Sequence, residues 1–363
     1  MKSKRSLLSI AVLSIGLTAC GGSSSNKSSS STDGGMDNGN VQSPLASLDI
    51  QCSAVDDSSA IAAKSEIVDG ERLTLSLVDS YFSGSNFATS SAEIVSYDTC
   101  SDRLYVVNSQ AASIDVLALD PNSHELSKAG NIDLSLAAAA AGIEIGAANS
   151  VSAKQGLVAV AIEAKVKQNL GLIALYRSDD LSLLGTYTAG ALPDMVALSG
   201  DAKTILTANE GEPSGDYVND PEGSVTIVDL QNGFGPDDAV VSQVSFADFN
   251  VGGSRADEVP ADVRLPGPAG TTVAQDLEPE YLALNADASV AWVAMQENNA
   301  VAIIDVADAR VEGMKGLGKK PWNSASGNEL DASNKDDGTG EFASYEQLVG
   351  LYMPDTIVSV EID

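Results

Sequence analysis

The chain has 363 residues, with 51 Asp and Glu against 20 Lys and Arg, a formal net charge of −31 and a single histidine. Such a charge repels phosphate backbones and anionic lipid surfaces and attracts cations, which excludes nucleic acid as a partner. A hydrophobic content of 44% suffices for a large packed core, so the acids decorate a globular protein, for solubility alone or in part to hold calcium.

Residues 1–19 combine a basic start (Lys2, Lys4, Arg5) with an apolar run over 7–17, and end in Leu17-Thr18-Ala19-Cys20. The run is well short of the roughly 20 residues that a membrane-spanning helix needs. Small residues before a cysteine identify a bacterial lipoprotein signal peptide instead. Cys20 becomes the acylated first residue of the mature chain, which contacts the membrane through its lipid. Gly21 rather than Asp after it points to the outer membrane of a Gram-negative cell, facing periplasm or cell surface. Residues 20–42, rich in Ser, Gly, Asn and Asp without apolar periodicity, predict a flexible tether. One domain, 43–363, follows. Its two cysteines, Cys52 and Cys100, stand in a compartment where disulfides persist. The simplest prediction is a bridge between them; two free buried thiols are the alternative.

A three-strand sentence then recurs. The first copy reads Ala92-Glu93-Ile94-Val95-Ser96-Tyr97, then Arg103-Leu104-Tyr105-Val106-Val107-Asn108, then Ser113-Ile114-Asp115-Val116-Leu117-Ala118-Leu119. Residues 134–148, rich in Ala, predict a short helix or a wide loop. The second copy occupies 150–153, 157–163 and 171–176. The third runs from Pro193-Asp194-Met195-Val196-Ala197-Leu198 through Asn209-Glu210-Gly211-Glu212 to Val225-Thr226-Ile227-Val228-Asp229. The fourth runs from Pro279-Glu280-Tyr281-Leu282-Ala283-Leu284 through Gln296-Glu297-Asn298-Asn299 to Ala302-Ile303-Ile304-Asp305. A further strand opens at Pro354-Asp355-Thr356-Ile357-Val358-Ser359-Val360. Repetition of a short all-strand unit predicts an all-β fold, a β-propeller of four-stranded antiparallel blades around a central channel. Four copies and the opening of a fifth predict a C-terminally incomplete propeller, because an unclosed ring leaves an exposed edge. A small propeller closed by a strand over 73–78 is the alternative.

Little in the chain suits nucleophilic or nucleotide chemistry. His124 is alone in a polar turn, and no Gly-rich phosphate loop precedes a helix. Oxygen chemistry remains. Glu210, Glu212, Asp216, Asp220 and Glu222 form one cluster, Asp276, Glu278 and Glu280 a second, and Glu297 with its Asn neighbours a third. Each sits at a strand end or blade connection. Hard cations take six to eight oxygens from carboxylates, amides and carbonyls, so Glu210, Glu212, Asp220, Glu222, Asp276, Glu278, Glu280 and Glu297 are the candidate metal ligands, with calcium the expected ion. Residues 327–338 alternate oxygen donors with spacers but lack the EF-hand spacing.

These residues resemble the choice-of-anchor I family, bacterial surface propellers similar to animal mesenchyme-specific cell-surface glycoproteins and often labelled alkaline phosphatase-like. The resemblance rests on Thr207-Ala208-Asn209-Glu210-Gly211-Glu212-Pro213, Asp220-Pro221-Glu222-Gly223-Ser224-Val225, Gln275-Asp276-Leu277-Glu278-Pro279-Glu280-Tyr281, Gln296-Glu297-Asn298-Asn299-Ala300 and the loop 327–337. It implies a seven-bladed propeller and a longer chain. The chain departs from the family at Lys320-Pro321-Trp322-Asn323, where an Asp-His pair is usual. Two functions stay open: a surface-anchored, calcium-stabilised binding or scaffold module, expected to be a monomer with a glycan or protein ligand, and a calcium-dependent phosphomonoesterase whose carboxylates hold ions that activate water.

Overall fold

The structure is a computed structural model that describes residues 44–50, 52, 77–84, 89–120, 122–333, 335 and 340–360. The expected signal peptide, Cys20, the expected tether and residues 73–76 lie outside the described residues.

Four four-stranded antiparallel sheets follow one another along the chain. The first joins β1 (Val95–Asp98), β2 (Arg103–Asn108), β3 (Ser113–Leu119) and β4 (Leu126–Asp133). The second joins β5 (Ile145–Lys154), β6 (Leu157–Ala164), β7 (Leu170–Arg177) and β8 (Leu183–Ala191). The third joins β9 (Pro193–Leu198), β10 (Thr204–Asn209), β11 (Ser224–Asp229) and β12 (Val240–Ser245), and the fourth β13 (Tyr281–Leu284), β14 (Val290–Met295), β15 (Ala300–Asp305) and β16 (Arg310–Gly316). Each sheet is a meander in sequence order, the blade of a β-propeller.

The blades are held by apolar layers between them. In β6, Val158, Val160 and Ile162 pack toward the first blade while Leu157, Ala159 and Ala161 pack toward the third. In β10, Ile205 packs toward the second blade, and Leu206 and Ala208 toward the fourth. A strand covered on both faces needs apolar residues at every position, which is why the second and third strand of each copy read as nearly continuous hydrophobic runs. The fourth strands were not placed by the sequence pattern. In β4 and β12 most side chains are exposed or half-buried, so alternation is weak.

Residues 134–148 contain both a helix and a strand. A short helix, α2 (Ser135–Ala141), follows α1 (Pro44–Ser47) in the chain and ends on Gly142 at φ +69, whose N–H donates to the Ala138 carbonyl. β5 then starts at Ile145. After the fourth blade come two short ribbons, β17 (Lys320–Pro321) with β20 (Val349–Gly350) and β18 (Leu330–Asp331) with β19 (Phe342–Ala343). The strand expected to open at Pro354 is corrected: residues 354–360 carry no ladder. An extended segment becomes a strand only through backbone hydrogen bonds to a partner, and no such bonds to residues 354–360 are formed among the described residues. It is held by side chains instead, with the Asn299 Oδ1 accepting from the Tyr352 and Met353 N–H groups and the Ser359 hydroxyl donating to the Leu284 carbonyl. Leu77 and Val78, the described end of the proposed closing strand, are likewise outside any sheet.

A disulfide joins Cys52 to Cys100 in the β1–β2 turn.

Candidate functional site

The meander places the start of every first strand and the end of every second strand on one face of the propeller. The register is shared: Met195 pairs with Ala208, Tyr281 with Ala294 and Ser150 with Ala161, each four residues into its second strand. The residues just before these three are Asp194, Glu280 and Asn149. Repetition therefore brings acidic side chains together on one face of the propeller, on the blades where that position is an acid.

Asp194, Glu210 and Glu280 each bring a carboxylate oxygen within 4.8 Å of the others, and all three side chains are half-buried. Their backbones are pinned. The Glu210 N–H donates to the Leu192 carbonyl at 2.9 Å, and the Glu280 N–H to the Ala294 carbonyl at 2.9 Å. The turn after Glu210 needs glycine twice. Gly211 has φ +69, and a Cβ there would come within 2.7 Å of the Gly223 nitrogen. A Cβ on Gly223 would run into the Leu277 carbonyl oxygen, so the loop can lie against the segment leading to Glu278 and Glu280 only because both positions lack side chains.

The electrostatics follow from crowding like charges away from water. Burial, then Asp194, Glu280, Glu212 and Glu278, push the Glu210 carboxyl up to about 9. Burial, then Glu297, Asp194, Asp355 and Glu278, raise Glu280 to about 8. Glu278 rises to about 7 through burial, Glu297 and Glu212, and Asp194 to about 6 through burial, Asp355 and Glu93. Lys167 offsets little: it lies 3.9 Å from Glu163 and 4.0 Å from Glu212, with half its side chain in solvent. One oxygen of Glu280 is buried without a hydrogen-bond partner. A group of desolvated carboxylates that retains protons for want of counter-ions is the donor set a hard cation fits, because the ion can take the protons' place.

The eight expected ligands divide. Glu210 and Glu280 belong to the inner trio; Glu212, Glu278 and Glu297 lie close enough to shift their neighbours' ionisation. Asp220 and Asp276 lie outside the trio, Asp220 raised by burial and by Asp276, and both add to the charge that raises Glu278. Asp276 is occupied structurally, its Oδ1 accepting the Gly267 N–H at 2.6 Å. Glu222 is exposed on its loop. The amides beside Glu297 are corrected from oxygen donors to fasteners. Asn298 is fully buried: its Oδ1 accepts from the Glu278 N–H, and its Nδ2 donates to the carbonyls of Arg264 and Asp276. Of the loop 327–338, Leu330 and Asp331 form β18, and residues 334 and 336–338 lie outside the described residues.

Asp194 was absent from the expected ligands, as was Asp355, whose charge raises both Asp194 and Glu280. The signal was present in the sequence. Pro193-Asp194, Pro279-Glu280 and Pro354-Asp355 head three successive copies with the same proline-acid dipeptide.

Fold and site together define a β-propeller module with a carboxylate cluster on one face. The chain belongs to the choice-of-anchor I domain family, whose model matches residues 93–363. Among solved structures it is similar to the β-propeller domain of Cps50 (Swd1) from Myceliophteria thermophila, with a TM-score of 0.40, 9% identity, and coverage of 65% of this chain and 60% of that one. It is similar also to a functionally unknown protein from Desulfotomaculum acetoxidans, with a TM-score of 0.37, 10% identity, and coverage of 61% and 56%. The chain thus spans less than two thirds of either solved protein. No curated protein matches it.

Proposed function

We propose that this protein is an outer-membrane lipoprotein, acylated at Cys20, whose propeller acts as a binding or scaffold module with calcium at Asp194, Glu210 and Glu280. The observation that carries the reading is the trio itself, three carboxylate oxygens mutually within 4.8 Å. Three oxygens no more than 4.8 Å apart have a common centre no more than about 2.8 Å from each, so a slight drawing-in of the side chains brings all three to the calcium–oxygen distance of about 2.3–2.6 Å. Three side-chain oxygens fall short of the usual six to eight, which leaves positions for water and for oxygens of a glycan or protein ligand. The affinity expected is that of extracellular calcium modules, a Kd on the order of 10⁻⁴–10⁻³ M.

The test is a calcium titration of the mature chain by calorimetry, with thermal unfolding in parallel. Binding with a raised Tm, weakened at least tenfold in Glu210→Gln and Asp194→Asn, supports the reading. Absence of heat and of any Tm shift would remove the ion from it and leave the acids as solvated surface. Hydrolysis of a phosphomonoester that depends on added calcium would assign the same carboxylates to catalysis.

A further inference from the structure

The acid-bearing face has an opposite, and the chain's N-terminal segment is fastened to it. In each blade the turn between first and second strand, and that between third and fourth, point away from Asp194, Glu210 and Glu280. Residues 44–50 and Cys52 lie on that turn face. Leu45, Leu48 and Ile50 pack against the apolar layer between the second and third blades, with Leu157, Ile173, Val196 and Leu198. Arg177, at the end of β7, donates from Nη1 to the Leu48 carbonyl at 2.9 Å. Ile50 covers the β5–β6 turn so closely that a Cβ on Gly156 would come within 2.9 Å of its Cγ2, and Gly156 has φ +85. Cys52 then closes the strap covalently on Cys100, in the β1–β2 turn. Apolar packing, a charged hydrogen bond and a covalent bond thus hold residues 44–50 and Cys52 to one face.

We infer that this strap orients the propeller: whatever the N-terminus is attached to lies under the turn face, and the acid-bearing face is presented outward as the free ligand-binding surface. The inference rests on the N-terminal attachment proposed above but adds a direction to it. Blades six to eight residues long are about 20–25 Å thick at roughly 3.3 Å per residue. A coil of the length expected for residues 20–42 spans about 27 Å on average. The turn face then stands about one tether length from the membrane, and the acid face nearly twice as far. A cation or a ligand arriving from outside meets the carboxylates first, with the body of the propeller between them and the bilayer.

The experiment is energy transfer from a dye on the protein to an acceptor lipid. The mature chain is ligated by its amino terminus to a phospholipid in phosphatidylcholine vesicles, so vesicle attachment does not depend on natural acylation. One variant carries the dye at Asn232→Cys, in the exposed β11–β12 turn on the strap face, and another at Val218→Cys, exposed on the loop after Glu212. Transfer from position 232 should exceed that from position 218 by about twofold or more. Equal or reversed transfer overturns the inference. Releasing the strap with Cys52→Ser, Cys100→Ser and Leu48→Asp should bring the two signals together; a difference that persists in this folded variant shows that the strap does not set the orientation. If the variant does not fold, the comparison in the otherwise native chain still decides. The mass of the mature protein reports acylation of Cys20 separately, so loss of the anchor reading and loss of the orientation are distinguishable.

Discussion

Replacing Glu210 by Gln should make the metal-free protein more stable at high pH, although it removes a native side chain. Glu210 carries its proton up to about 9 in the fold, against an ordinary value of 4.5. Between those values the folded state binds a proton that the unfolded chain does not, so stability falls as pH rises through the window and is lost to this group above about 9. At 1.36 kcal/mol per unit, a shift of this size sets a ceiling of about 6 kcal/mol. Sharing of protons with Asp194, Glu280 and Glu278, and entry of water, bring the expected effect to about 2–3 kcal/mol. Gln has the shape of the protonated acid and no charge to lose. In urea denaturation with a chelator present, followed by tryptophan fluorescence, Glu210→Gln should match the native chain within about 1 kcal/mol at pH 5 and exceed it by about 2–3 kcal/mol at pH 9. With calcium added the order should reverse at pH 9, because the ion stabilises only the ionised trio. Parallel pH profiles for the two proteins in chelator would refute the claim that crowded, desolvated carboxylates dominate this site.

Opening the Cys52–Cys100 bridge by a double Cys→Ser change should cost about 2–4 kcal/mol, since the bond closes a loop of 48 residues, and the loss should appear in the urea midpoint without loss of β-sheet circular dichroism. Asn298→Ala removes three hydrogen bonds from a fully buried amide and leaves their partners unpaired; a loss of about 2–4 kcal/mol is expected, together with weaker calcium binding because the Glu278 backbone is released. Gly223→Ala should separate the Glu210 loop from the Glu278–Glu280 segment, lowering calcium affinity at least tenfold while the four blades persist by circular dichroism. Calcium binding should release protons between about pH 6 and 9, where Asp194, Glu278, Glu280 and Glu210 still hold them; calorimetry in buffers of different ionisation enthalpy measures the number released.

Local chemistry alone reveals the repeat, its strands and its turns. β2, β3, β6, β7, β10 and β11 are legible because strands buried on both faces must be apolar throughout, and β9 because the pattern Pro-Asp followed by alternating residues marks where a channel-lining strand begins. The outer strands β4 and β12 are poorly legible because solvent on their exposed sides relaxes the constraint on residue type. The acids at positions 210 and 280 are visible as clusters, but which acids meet is a matter of distance between blades. Asp194 and Glu210 come from the two ends of adjacent strands, and Glu280 from a blade more than 60 residues further along the chain. Their convergence within 4.8 Å, and the proton affinities that follow, arise from the stacking of one blade on the next. Glu222 and Glu212 look alike in sequence and are both exposed, yet only Glu212 stands close enough to raise Glu210 and Glu278. Chain periodicity determines the blade; only the packing of apolar layers between blades decides which charges must share a desolvated space.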